Sequence, residues 1–188
     1  MFKEFLRLYP GLKQAAEADQ MDMENVLRPL GLLWRARDMA SFFQLAYQRF
    51  GEELPLDVTE LRSLPGVGEY VSAAIVCFAG NQTEPLIDTN VVRVLGRIFG
   101  LSLHGEARRR RDMRDLAGRA VDVVDPSSYH YALLDFGAKI CVSTRPRCVR
   151  CPFSNDSRCA YYVSVTCSEI EGKSASSNGA GGADSAKD

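Results

Sequence analysis

The sequence has few of the features that mark secreted, membrane or fibrous proteins. Its 188 residues include one tryptophan and two histidines, and no internal repeat. Charged or strongly polar residues interrupt every apolar run well before the roughly 20 residues that span a bilayer, so we expect no membrane segment. The opening residues MFKEFLRLYP lack the basic and then apolar regions of a secretion signal. A reducing cytoplasm is therefore the expected compartment.

The chain also lacks an excess of charge of either sign, which excludes a strongly basic arm. It has 23 basic and 24 acidic residues, but their distribution is uneven. Residues 1–82 carry 8 basic and 11 acidic side chains, net −3, whereas residues 83–162 carry 13 and 9, net +4. The second region is a candidate polyanion-binding region, densest at the four arginines 108–111. A solvated helix face or loop is an equally good interpretation of those four residues.

Alternating strand patterns are absent as well. Apolar residues recur at three- and four-residue steps, which is typical of helices on a core, and the 46% hydrophobic share is enough for a globular core. The fold class is predicted to be all-α, and residues 163–188, rich in Gly, Ser and Ala, are predicted to be a disordered tail. The predicted helices cover residues 2–8, 22–29, 34–50, 57–63, 69–79, 88–99, 107–121 and 127–140.

Six cysteines are present, and four of them lie close together in a loop-like segment. These are Cys141, Cys148, Cys151 and Cys159, separated by six, two and seven residues. Thiolates at such spacing can bind zinc or a [4Fe-4S] cluster, and the single Cys-x-x-Cys pair favours iron and sulfur over zinc. A pair of disulfides is a further alternative, which the reducing compartment disfavours. Arginines 145, 147, 150 and 158 lie among the cysteines and are candidate phosphate contacts.

The string LPGVG lies between two apolar helical segments. Glycines at two positions allow a tight hairpin that exposes backbone amides at the N-terminus of the next helix, where a phosphate oxygen is stabilised. This pattern predicts a helix-hairpin-helix that holds a nucleic-acid backbone, with an ordinary helical corner as the alternative. The candidate DNA-binding residues are Leu64, Gly66, Val67, Gly68 and Glu69.

An aspartate follows the hairpin in the string EPLIDTN. Asp88 lies eighteen residues after Tyr70 and directly before a predicted helix, where a capping carboxylate contributes about 1 kcal/mol. Its apolar neighbours Leu86 and Ile87 place it where burial can tune its ionisation. Both a capping role and a catalytic role are open from the residues alone.

Together the strings LPGVGEY, IDTNVVRVLGRIFG and YALLDFGAKICVSTRPRCVRCP resemble the helix-hairpin-helix DNA glycosylases of the endonuclease III superfamily, those with an iron-sulfur cluster. The resemblance covers about residues 1–162. It implies a lobe of six helices, residues 1–82 with the helix-hairpin-helix at 57–79, and a cluster lobe, residues 83–162, flanking a cleft for a flipped nucleotide. It also implies a [4Fe-4S] cofactor on the four cysteines and a cytoplasmic, nucleoid-associated monomer that binds double-stranded DNA containing a mismatched base.

The resemblance assigns chemistry to two side chains. Asp88 occupies the position of the catalytic aspartate, which stabilises oxocarbenium character at the deoxyribose or activates water. Tyr70 occupies the position where bifunctional members carry lysine, and a phenol cannot form their Schiff base, so a monofunctional enzyme is expected. Tyrosine there resembles the thymine glycosylases that act on G/T and G/U mismatches, whereas the adenine glycosylases usually have serine. Adenine excision opposite guanine or 8-oxoguanine, or non-catalytic DNA binding, are the alternatives.

The sequence departs from the family at its start. Family members usually have one or two helices before the segment that resembles residues 1–40, including a glutamine-bearing element beside the flipped base. The adenine glycosylases place a catalytic glutamate in that part and add a C-terminal domain. We therefore expect an N-terminally shortened lobe, which disfavours adenine as the excised base more than thymine.

Overall fold

The computed structural model describes residues 2–31, 33–154 and 158–166. The described residues form short helices and turns without a strand, which confirms the all-α prediction. None of the helices among them is long and apolar enough to cross a membrane. The α-helices are α1 (Phe2–Leu8), α2 (Leu12–Ala16), α3 (Gln20–Leu27), α4 (Leu33–Phe50), α5 (Val58–Arg62), α6 (Glu69–Gly80), α7 (Thr89–Phe99), α8 (Arg111–Ala120) and α9 (Pro126–Lys139).

Aspartate side chains fix where three of these helices begin. Asp19, Asp57 and Asp88 precede α3, α5 and α7, and each carboxylate accepts hydrogen bonds from two amides of the first helical turn. These amides have no partner within the helix, so the caps stabilise the chosen start. Because Asp19 caps α3, this helix begins two residues before the predicted start at residue 22.

The predicted helix at 107–121 is divided in the structure. A single 3-10 turn covers Ala107–Arg109, Arg110 is extended, and α8 begins at Arg111. The Arg110 guanidinium bonds to the Asp112 carboxylate and donates to the carbonyl oxygen of Ser102 at 3.2 Å. These polar contacts favour the extended backbone at Arg110. The spacing of hydrophobic residues does not predict them.

The chain divides into two compact units. The first contains Met1–Leu86 together with Val121–Ser127, and the second contains Ile87–Ala120 and Ser128–Asp188. In the first unit Ser127 belongs with α6, since its hydroxyl donates to the carbonyl oxygen of Cys77 at 2.9 Å. The division of the sequence into lobes 1–82 and 83–162 stays a prediction.

Each unit has its own apolar core. In the first, one cluster joins α3 to α4 around Met23 and Ala36, and another joins α4, α5 and α6 around Leu61 and Val76. In the second, α7 packs on α8 through Val92, Leu95, Met113 and Ala117. The second core fixes the end of α7 that carries Asp88.

The end of the described chain is helical. Residues 160–166 form helical turns, so the first four positions of the predicted tail at 163–188 are ordered. Tyr161 explains part of this order, because its ring contacts the guanidinium of Arg97 on α7. Residues 167–188 lie outside the described residues.

Candidate functional site

The predicted hairpin lies between α5 and α6 in the first unit. The chain leaves α5 at Ser63, and the amide of Val67 donates to the carbonyl oxygen of Leu64 at 3.3 Å, which closes the turn. Gly68 precedes α6 without a side-chain cap, and Glu69 begins the helix at an exposed position. The hairpin and the start of α6 at Glu69 thus follow the sequence prediction.

The five candidate DNA-binding residues divide by burial. The side chains of Leu64 and Val67 are buried in the core beside Leu61 and Val76, so only their backbone atoms can meet a ligand. Gly66, Gly68 and Glu69 are exposed. The two apolar residues therefore hold the turn against the core, and the exposed residues form its outer surface.

Glycine is required at the centre of the hairpin. Gly66 has a φ of +72°, which is the left-handed region that side-chain-bearing residues rarely adopt. A Cβ atom at this position would also lie 3.2 Å from Cβ of Asp38 on α4. Glycine is therefore required at position 66 for two reasons: the positive φ of the turn and the short distance to α4.

Tyr70 lies at the second position of α6. Its side chain is 40% exposed, whereas Ala73, Val76 and Cys77 of the same helix are buried. An exposed phenol at the N-terminal turn of α6 is accessible to a ligand. The structure places Tyr70 in the first unit and Asp88 in the second.

Asp88 caps α7 with one carboxylate oxygen and binds a side chain with the other. Oδ1 accepts from the amides of Asn90 and Val91, each at 2.8 Å. Oδ2 accepts from the side-chain amide of Asn90 at 2.8 Å. Asp88 is half-buried, so its carboxylate is held by three donors and remains partly accessible. The capping role is present in the structure, and it leaves the catalytic role open.

A hydrogen-bond network continues from Asp88 to the cysteine segment. The side-chain carbonyl of Asn90 accepts from the Arg93 guanidinium at 2.9 Å. Arg93 also donates to the backbone carbonyls of Gly137 and Cys141, both at 2.8 Å. The orientation of Asp88 therefore depends on Asn90 and Arg93, and through them on the end of α9.

The close packing of α7 on α9 at this network depends on Gly137. This residue is buried, and a Cβ atom built on it would lie 3.1 Å from Cβ of Asn90 and 3.5 Å from the Arg93 guanidinium. Glycine in the string LLDFGAK thus allows the Arg93 side chain to reach the carbonyl oxygen of Gly137. The string LLDFGAK does not predict this contact, because α7 and α9 are far apart in the sequence.

The four candidate ligand cysteines lie in one folded segment of the second unit. The amide of Arg147 donates to the Ile140 carbonyl at 2.9 Å, and the Ser154 hydroxyl lies 2.8 and 2.7 Å from the carbonyl oxygens of Cys148 and Cys151. Phe153 packs edge-on against Phe136 of α9, with ring centroids 5.8 Å apart. These contacts fold the segment against α9.

The pKa of the Cys148 thiol depends on its burial and on the other three cysteines of this segment. Burial raises the pKa of the Cys148 thiol, and negative charge on Cys151, Cys159 and Cys141 would raise it further. All four are free thiols, as is the buried Cys77. Among the described residues, no three His, Cys, Asp or Glu side chains meet at a point where a single metal ion could bind. The donor set itself, four cysteine sulfurs, suits an iron-sulfur cluster.

The basic run at 108–111 is largely neutralised by neighbouring acids. Arg109 pairs with Glu106 at 2.7 Å, Arg111 pairs with Asp115 at 3.7 Å, and Arg110 pairs with Asp112. The structure therefore favours a solvated surface, made of a 3-10 turn and the start of α8, over a polyanion-binding centre here. In the cysteine segment, Arg145, Arg147 and Arg150 are exposed.

Comparison with known proteins identifies the family. A thymine/uracil-DNA glycosylase of Pyrobaculum aerophilum is 33% identical to the chain over 168 residues, covering 86% of this chain and 72% of the relative. The chain belongs to the helix-hairpin-helix DNA glycosylases of the endonuclease III superfamily. DNA is therefore its binding partner, and N-glycosyl bonds are the class of bond it hydrolyses.

Two further comparisons agree with this assignment. The solved structure of a thermostable thymine-DNA glycosylase superposes on this glycosylase with a TM-score of 0.77 at 25% identity, covering 87% of this chain and 75% of that chain. An adenine DNA glycosylase of Mycolicibacterium smegmatis is 30% identical over 159 residues, but the match covers only 53% of that relative. No family model matches the chain.

Sequence reasoning missed the polar residues that join the parts of the second unit. Asn90, Arg93 and Arg97 were not among the predicted site residues, although the two arginines lie four residues apart on α7. That spacing places them on one face of the helix, and an arginine pair within an apolar segment is an available signal. The backbone carbonyls that the two guanidinium groups bind lie 44 to 48 residues further along the chain, which the spacing alone does not reveal.

Proposed function

We propose that this glycosylase hydrolyses the N-glycosidic bond of thymine or uracil mispaired with guanine and leaves an intact abasic site. The observation that carries this proposal is Tyr70, an exposed phenol at the second position of α6. An amine is needed there to form a Schiff base with the sugar, and a phenol cannot supply one. The similarity to a thymine/uracil-DNA glycosylase supports the choice of base.

Asp88 is the proposed catalytic carboxylate. As the base departs, positive charge develops on the deoxyribose, and a fixed carboxylate stabilises that charge or removes a proton from the attacking water. The three hydrogen bonds from Asn90 and Val91 hold the Asp88 carboxylate in one orientation before the substrate arrives. Tyr70 is proposed to contact the flipped base or its sugar.

Residues Cys141, Cys148, Cys151 and Cys159 are the proposed ligands of a [4Fe-4S] cluster. Four free thiols in one folded segment support this assignment. When bound, the cluster supplies four iron–thiolate bonds that cross-link a segment with little apolar burial. The segment can then present the exposed Arg147 and Arg150 to DNA phosphates.

The hairpin is the proposed second contact with the DNA backbone. Gly66, Gly68 and Glu69 lie on its outer surface, and the absence of a side-chain cap on α6 leaves room for a phosphate oxygen at the helix N-terminus. A contact of this kind positions the duplex without reading its sequence. We further propose that the protein acts as a monomer in the cytoplasm.

The test is incubation of the purified protein with duplexes containing G/T, G/U, A/G and A/8-oxoguanine pairs. Strand cleavage is scored before and after hot alkali, because alkali breaks an abasic site and a bifunctional enzyme nicks without it. We expect product from the G/T and G/U duplexes only after alkali. Cleavage without alkali contradicts the monofunctional mechanism, and product from the adenine duplexes alone contradicts the proposed substrate.

A further inference from the structure

Arg97 on α7 contacts the cysteine segment through several groups at once. Its guanidinium donates to the carbonyl oxygens of Val142 at 2.7 Å and Ser143 at 2.8 Å, and lies 3.5 Å from Sγ of Cys141. In the free thiol, Sγ of Cys159 donates to the backbone carbonyl of Arg97 at 3.4 Å, a bond that is lost when the thiol is deprotonated to bind a metal. One residue thus contacts both the first and the last cysteine of the group.

The guanidinium is held in this place from a second side. Its central carbon lies 4.8 Å from the ring centroid of Tyr161, within the range of a cation–π contact. Tyr161 is half-buried and lies two residues after Cys159, so the contact joins the chain beyond the last cysteine to α7. The planar guanidinium can stack on a ring and donate in its own plane at the same time, which a lysine cannot do.

We propose that Arg97 is a positioning residue for the four-cysteine centre. Its guanidinium holds Cys141 and, through Tyr161, the chain that follows Cys159, and it sets the electron affinity of the group bound there. This inference rests on the proposed [4Fe-4S] cofactor. Hydrogen bonds to metal-bound sulfur and nearby positive charge both favour the more reduced form of such a centre. Arg97 supplies both, since its N–H group and its charge face Sγ of Cys141.

Arg97 has a role separate from that of Arg93, four residues before it on α7. Arg93 bonds to the side chain of Asn90 and to two backbone carbonyls, and it belongs to the network that orients Asp88. Arg97 contacts Sγ of Cys141 and the backbone carbonyls of Val142 and Ser143. Replacing Arg97 should therefore change the properties of the bound group more than the chemistry at Asp88.

The experiment compares Arg97→Gln and Arg97→Lys with the wild-type protein as purified, and uses Arg119→Gln on the exposed surface of α8 as the control. The first measurement is the rate at which an iron chelator bleaches the visible absorbance. We expect bleaching about tenfold faster in both Arg97 variants, which is the usual scale for loss of an outer contact to a metal ligand. The control should match the wild type.

The second measurement is the midpoint potential of the bound group by voltammetry of the protein on an electrode. Arg97→Gln removes the charge and should shift the potential to more negative values, whereas Arg97→Lys keeps the charge and should shift it less. A purely structural role would accelerate bleaching without this ordering of potentials. A further variant, Tyr161→Leu, removes the ring contact and leaves the Arg97 donors intact. It should increase the bleaching rate by less than the Arg97 variants do. It replaces Arg97→Gln in the comparison if that variant does not fold.

The outcomes separate the two proposals. Wild-type protein that contains no iron and sulfide overturns the cofactor and the role of Arg97 together. Wild-type protein with the cluster, and Arg97 variants with unchanged bleaching and unchanged potential, overturn the role of Arg97 alone. Faster bleaching with an equal potential in Arg97→Gln and the wild type overturns the electrostatic part of the proposal.

Discussion

Asp88 combines a structural and a proposed chemical task in one carboxylate. Its Oδ1 atom caps α7 through the amides of Asn90 and Val91, and Oδ2 bonds to the Asn90 side chain. A simple loss of activity in a mutant would not separate the two tasks. Asparagine and alanine replacements do, because asparagine caps a helix about as well as aspartate and alanine does not.

We therefore expect different effects from Asp88→Asn and Asp88→Ala. The asparagine variant should keep its thermal stability yet lose activity by roughly 10²- to 10⁴-fold, since it lacks the negative charge. The alanine variant should lose activity and about 1 kcal/mol of unfolding free energy as well. Single-turnover excision and denaturant unfolding measure the two quantities. Full activity in Asp88→Asn would show that the residue is only a cap.

At the scale of helices, Gly137 sets the distance between α7 and α9. Replacing it with alanine places a methyl group 3.1 Å from Cβ of Asn90. The free-energy cost of overpacking exceeds the gain in helix propensity, so we expect Gly137→Ala to destabilise the protein by roughly 1 kcal/mol. We also expect slower excision, because a displaced Asn90 no longer orients Asp88.

Gly118 on α8 provides the matched control for Gly137→Ala. It is exposed within the helix, and a Cβ atom there meets no atom within 4 Å among those described. Gly118→Ala should therefore stabilise the protein by up to about 1 kcal/mol and leave excision unchanged. Thermal melts and excision rates of the two variants, compared in parallel, check both results. Equal behaviour of the two would contradict the packing argument.

The cysteine segment has few buried side chains of its own. Between residues 141 and 154 and at 158–159, only Ser154 and Cys159 are buried. Removing a bound cluster should thus loosen this segment while α7, α8 and α9 keep their apolar core. We expect trypsin to cut after Arg147 and Arg150 in the chelated protein and much more slowly in the loaded protein. Circular dichroism should show most of the helix retained, and a cooperative loss of all helix would contradict this prediction.

Much of the local structure could be predicted from the sequence because it depends on near neighbours. The hairpin follows from the glycines around Val67, and the start of α7 follows from the capping residue Asp88. The division of the predicted 107–121 helix at Arg110 could not be predicted, because it depends on side-chain bonds to Asp112 and Ser102. The Arg93 contact to Cys141 spans 48 residues, and no periodic pattern encodes it.

For the whole molecule, the arrangement of paired and exposed arginines predicts how DNA binding depends on salt. Arg147 and Arg150 are exposed in the cysteine segment, whereas Arg109 and Arg111 pair with acids. Each arginine that contacts a phosphate contributes about one unit to the slope of log affinity against log salt. Arg147→Gln and Arg150→Gln should each lower this slope by about one in fluorescence titrations. Arg109→Gln and Arg111→Gln should leave the slope nearly unchanged. A lower slope in these two variants, with no change in Arg147→Gln and Arg150→Gln, would show that the arginine run at 108–111 contacts the DNA instead.

The two units are interleaved along the chain, and this order has a consequence for synthesis. Val121–Ser127 belongs to the first unit, yet α7 and α8 of the second unit precede it. On the ribosome, the segment that completes the first unit therefore emerges only after most of the second core has been made. The first unit can form its apolar core from residues 1–86 alone, but it gains the contact of Ser127 with the Cys77 carbonyl only after α7 and α8 have been made. We therefore expect the first unit to be completed after its core has folded, once the chain beyond Ser127 has emerged.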